Sequence, residues 1–145
     1  MDTNNPVIIH CIEGIWAELD DRPDDARIHY QRAWKASTND YEACIAAHYL
    51  ARAQDTPEAS LQWHMRALEL AYASPQENVH DFYPALHMSI GHAYKQLGGM
   101  VQAQRYYRLA AMMGEIHFRE SEDETVRWLK MFDWVQPLLN ETIGY

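Results

Sequence analysis

The sequence predicts an all-α chain assembled from successive helix pairs. Three observations point there. Gly14, Ala17, Ala26, Tyr30 and Ala33 recur 34 residues on as His48, Ala51, Ser60, His64 and Ala67, keeping mostly small residues where two helices would approach closely. Apolar residues follow a helical period without the alternation of a half-buried strand. Proline with acidic residues, or paired glycines, interrupts that period where a helix hairpin must turn.

The elements follow in order. A first helix near 6–20 stops at Asp20-Asp21-Arg22-Pro23-Asp24. Pro23 suits the first turn of a second helix, near 23–37, with Asp24 and Asp25 at its positive end. A third, near 40–53, is closed by Asp55-Thr56-Pro57-Glu58, which opens a fourth near 57–74. A fifth, near 79–97, ends at Leu97-Gly98-Gly99, where glycine accepts left-handed geometry, and a sixth spans 100–115. This fifth and sixth pair carries a third copy of the pattern: His87, Ile90, Gly91 and Tyr94, then Ala103, Tyr107 and Ala110. The step from Ala67 to Ala110 is 43 residues, and the nine extra, around Ala73-Ser74-Pro75-Gln76, are expected to lengthen helices four and five. A seventh helix, near 122–139, starts after Ser121 with Glu124 at capping-box spacing.

The third copy resembles the tetratricopeptide repeat family, whose pattern is Trp-x2-Leu-Gly-x2-Tyr followed by Ala-x3-Phe-x2-Ala; His87 and Ile90 stand in for Trp and Leu. The first copy keeps Gly14, Ala26, Tyr30 and Ala33 but places His10 and Glu13 at two apolar positions. The second has His48 for the glycine and Ser60 for the alanine, and its second helix also reads one residue earlier, with Ala59 and Trp63. The resemblance covers roughly residues 7–113. It implies one domain, a right-handed α-solenoid of three helix pairs (about 7–39, 40–78 and 79–115) capped by the C-terminal helix.

It also implies a concave groove lined by the second, fifth, ninth and twelfth positions of each repeat: Ile8, Cys11, Ile15 and Glu18; Glu42, Ile45, Tyr49 and Arg52; Ala85, Met88, His92 and Lys95. Ile15, Tyr49, Arg52, Met88, His92 and Lys95 are the expected peptide contacts, and the three cationic groups imply an acidic or carboxylate-ending partner. Some family members hold the acidic tail of a chaperone through Lys and Asn at the fifth, sixth and ninth positions. Cys11, Ile12, Ile15, Ile45, Ala46, Tyr49, Met88, Ser89 and His92 occupy those places, so that ligand is not carried over.

Composition excludes other classes. With 12 basic and 21 acidic residues the net charge is −9, which repels a nucleic-acid backbone and anionic lipid. The opening Pro-Val-Ile-Ile run meets His10 and Glu13, too soon for a membrane span or a signal peptide, and a cytoplasmic location is expected. Cys11 and Cys44 lack C-x-x-C spacing and read as small apolar packing residues.

Catalytic and metal chemistry find no complete pattern. Cys44 and His48 share a helical face, and Glu13 and Glu18 offer two carboxylates on the first helix, but no third group is placed by sequence to activate either pair. Phosphate-binding glycine loops, nucleophile elbows and H-E-x-x-H are absent. Asp20, Asp21, Asp24 and Asp25 lack the spacing of a calcium loop. The chain is therefore expected to be a non-enzymatic adaptor or regulatory module for an unnamed protein or peptide, without metal or cofactor. A small-ligand or enzyme-associated role and an oligomeric scaffold remain as alternatives.

The seventh helix carries more apolar residues than one stripe needs, and Trp128, Phe132, Trp134 and Leu138 are its expected oligomer contacts. Ile8, Ile12, Ile15, Trp16 and Leu19 would likewise leave apolar area open in a lone monomer. Two outcomes stand open: a homodimer through the seventh helix, or a helix that folds back so that one chain buries both faces.

Overall fold

Proline at the first helical position, short polar caps, or both fix where the first four helices start. Asn5 accepts from the Val7 amide at 2.9 Å, Asn39 from Glu42 at 2.8 Å and Thr56 from Ala59 at 3.2 Å. Each satisfies an amide that the first turn leaves open. The computed structural model describes residues 4–120, and every regular element among them is helical. They are α1 (Pro6–Leu19), α2 (Pro23–Ala36), α3 (Asp40–Arg52), α4 (Pro57–Ala73), the short α5 (Gln76–Val79), a 3-10 turn at His80–Phe82, α6 (Tyr83–Gln96) and α7 (Met100–Glu120). The expected seventh helix, with Trp128, Phe132, Trp134 and Leu138, lies outside the described residues.

The nine-residue excess behaves differently from expectation. It lengthens α4, which has 17 residues against 14 in α2, but not α6, and the rest forms α5 and the 3-10 turn. Ser74 leaves α4 in extended geometry before Pro75. Pro84, without an N–H, cannot complete a regular helical hydrogen bond back to residue 80, so the α-helical ladder is established only from α6 onward.

The chain divides into two compact units, Met1–Asn78 and Val79–Tyr145. In the first, α1 pairs with α2 and α3 with α4, while α3 also touches both α2 and α1. Its interior is built from small side chains with no measurable exposure, among them Ala17, Ala33, Ala47, Ala67 and Ala71, which let the backbones come close. In the second unit α6 pairs with α7 around Leu86, Ile90, Ala93, Ala103 and Ala110.

Two hairpin turns share one device. At the end of α1, Asp21 is left-handed (φ 58°), its amide donating to the Glu18 carbonyl and the next amide, Arg22, to the Ala17 carbonyl. At the end of α6, Gly98 takes φ 81° and Gly98 and Gly99 donate to Lys95 and Tyr94 in the same way. Both are Schellman closures. The third α-helix is closed from outside instead: Arg27 of α2 donates Nε and Nη2 to the Ala53 carbonyl at 2.8 and 2.5 Å. This puts a cation on the negative end of α3.

The repeat signal has a steric origin. A Cβ on Gly14 would stand 2.1 Å from Tyr30 Cε1, and one on Gly91 would stand 2.9 Å from the Tyr107 ring. In the second pair the glycine position holds His48, and the facing aromatic is the smaller His64, their rings 5.5 Å apart. A side chain is thus accommodated on one helix by shrinking the ring on the other. Gly14→Ala is therefore expected to cost about 2 kcal/mol in a urea melt, overpacking outweighing the helix propensity gained. A variant as stable as the parent would show that the Tyr30 ring has room to move.

Candidate functional site

Glu18 sits on the last turn of α1, where its carboxylate meets two other helices. It accepts from the Tyr30 hydroxyl of α2 at 2.5 Å and from Arg52 Nη2 of α3 at 2.6 Å. Tyr30 has no measurable exposure and the Arg52 side chain retains 3%. Tyr49 lies stacked on Tyr30 with ring centroids 5.5 Å apart. Burial, followed by the Glu18 charge, pushes the Tyr30 phenol far above its usual range, so the hydroxyl stays a donor.

The expected groove contacts therefore divide. Tyr49 is buried and Arg52 is already bonded to Glu18, while Ile15 of α1 is half-buried. In the second unit Met88 is half-buried, and His92 and Lys95 are exposed. Arg52 shares its charge within the fold, leaving Lys95 as the exposed cation of the expected set, with His92 exposed on the same helix.

The thiol and imidazole pair of α3 is chemically quiet. Burial pushes the Cys44 thiol up to about 12, and that of Cys11 likewise. At neutral pH the thiol therefore holds its proton, and thiolate chemistry has no nucleophile here. His48 is driven down to about 3 by burial, with Arg52 adding repulsion, so it is neutral under ordinary conditions. Both of its ring nitrogens are buried without a hydrogen bond, while the ring packs on Tyr49 and His64.

Exposed apolar side chains are concentrated on α1. Ile9, Ile12, Trp16 and Leu19 retain 40%, 40%, 61% and 53% exposure. Their spacing of three, four and three residues places them within about 80° of the helix circumference. Ile8, expected to be open, is buried, and Ile9 takes its place on the exposed side. Periodicity could not choose between adjacent isoleucines; packing of α1 on α2 and α3 did. No family model matches the chain, and neither a curated protein nor a solved structure matches it. No described helix is long and apolar enough to cross a membrane.

Beside this stripe, α1 and α2 bring together three groups that the sequence keeps apart. His10 and Glu13 are one turn apart on α1, and His29 of α2 reaches the same place, Nδ1 lying 3.2 Å from Glu13 Oε2. The first two were visible only as polar residues at apolar positions of the repeat. His29 carried no signal, since its meeting with them depends on the hairpin.

Proposed function

We propose that this chain is a tetratricopeptide-like helix-hairpin module that binds a protein or peptide partner, with the exposed face of α1 as a principal contact. The observation that carries this reading is the row Ile9, Ile12, Trp16 and Leu19, four large apolar side chains each at least 40% exposed on one helical face. Single exposed apolar residues are ordinary on protein surfaces, but an aligned row with a tryptophan at its centre has the composition of an interaction site.

The chemistry of the row favours an apolar, helical partner segment that lays its own stripe against α1. An acidic peptide, expected from the groove cations, has less support because Arg52 is bonded to Glu18.

The test is a single substitution at the most exposed member of the row. Trp16→Asp is expected to leave the helical circular dichroism spectrum and the melting midpoint nearly unchanged, since surface substitutions away from structural contacts stay within about 0.5 kcal/mol. Binding to a partner isolated from native extract with the parent chain should weaken about thirtyfold, the loss of about 2 kcal/mol that a central tryptophan commonly contributes. Partner binding unchanged in both Trp16→Asp and Ile12→Glu would remove α1 from the interface. Light scattering on the same proteins separates self-association: a dimer that becomes monomeric on Trp16→Asp identifies the partner as a second copy.

A further inference from the structure

His10, Glu13 and His29 each direct a potential ligand atom toward one point between α1 and α2, and those three atoms all lie within 4.8 Å of one another. We propose that they form a binding site for a divalent transition cation, zinc foremost. Two geometric facts support it. The Nδ1 atoms of both histidines are buried and make no hydrogen bond. In addition, Nδ1 of His29 stands only 3.2 Å from Glu13 Oε2 without the alignment of a hydrogen bond between them. A nitrogen and an oxygen at this separation without hydrogen-bond alignment match two ligands of one ion: at about 2.1 Å from a tetrahedral metal, neighbouring ligand atoms stand about 3.4 Å apart. The remaining spacing closes by side-chain rotation.

The donor set selects the class of ion. Two imidazoles and one carboxylate suit zinc, nickel, cobalt or copper, whereas calcium and magnesium take oxygen cages. Three protein ligands leave one tetrahedral position open, and the Glu13 side chain, 44% exposed against 20% for His29, places the site within reach of water. A bound ion would join α1 to α2 across the hairpin. The sequence reading expected no metal because no complete ligand motif such as H-E-x-x-H is present; here His10 and Glu13 of one helix are joined by His29 of its neighbour.

The test uses the untagged full chain, freed of metal with a chelator and dialysed. Titration with zinc chloride in a calorimeter is expected to show saturable binding, and cobalt chloride should give the visible absorption of a low-symmetry, near-tetrahedral ion. Glu13→Gln, which preserves size, and His29→Ala should each weaken zinc binding at least about tenfold, and the His10→Ala/His29→Ala pair should abolish the cobalt spectrum. Saturating zinc should raise the melting midpoint of the parent and not that of the pair. Absence of saturable binding by the parent overturns the site, as does a Glu13→Gln and double-histidine series that binds zinc as the parent does. Circular dichroism of every variant shows whether it is folded, and Glu13→Gln, conservative and partly exposed, decides the matter should a histidine variant fail to fold.

Discussion

Acidification from pH 7.5 to pH 4.5 is expected to remove about 3 kcal/mol of stability through His48 alone. In the unfolded chain an imidazole binds its proton near pH 6.5, whereas in the fold burial and the nearby Arg52 charge hold His48 down to about 3. Between those values the unfolded state binds more protons than the native state. Stability is therefore fully present above pH 6.5, falls at about 1.4 kcal/mol per pH unit below it, and stops falling from this cause near pH 3. His87, also lowered by burial, adds a contribution of the same sign.

The decisive comparison is His48→Leu. Leucine is a good helix former of similar bulk, and it removes two buried ring nitrogens that have no hydrogen-bond partner. The variant should match or exceed the parent at pH 7.5 and lose much less of its stability by pH 4.5, measured by urea denaturation across that range. Parallel curves for parent and variant would show that carboxylates, and not this imidazole, set the acid limit. Glu42 is the carboxylate to watch: Asn5 and Thr38 hold its proton affinity below the ordinary range, so its contribution is lost only at lower pH, below about 4.5.

Glu18→Ala is expected to cost about 3 kcal/mol, because it removes the carboxylate that a nearly buried arginine and a buried tyrosine both bond. The charge of Arg52 stays in the interior while its principal compensation goes. Deleting both sides of the pair behaves differently. Replacing Glu18 and Arg52 together with leucine and methionine removes the interior charge as well as its partner, and apolar replacement of a buried pair is commonly neutral or stabilising. The double variant should therefore recover at least half of the loss, and a double-mutant cycle by chemical denaturation measures the coupling. A Glu18→Ala loss below 1 kcal/mol would mean that water reaches the 21% exposed carboxylate and already screens it. These three residues come from α1, α2 and α3, so the network sets the register of the first helix pair on the second.

How much of this was legible beforehand depends on the range over which each signal acts. Pro23, Pro57 and Gly98 act within one turn, and α2, α4 and the end of α6 lie where they indicate. The caps Asn5, Asn39 and Thr56 act equally locally. The residues after Pro75 were misread because an excess of nine residues states a length but not a conformation, and Pro84 favours a tight turn over a longer helix.

By itself the sequence determined the helical character, the hairpin boundaries and the small residues, Gly14 among them, where two helices approach closely, since all three follow from period, propensity and side-chain size. It also determined that Cys11 and Cys44 act as apolar packing groups. Only tertiary structure decided that Arg52 faces Glu18, that Ile9 and not Ile8 is exposed, and that His29 joins His10 and Glu13. The reason is physical: a helical period fixes which residues share a face, whereas the rotation of that face toward a neighbouring helix is set by packing against residues far away in the chain.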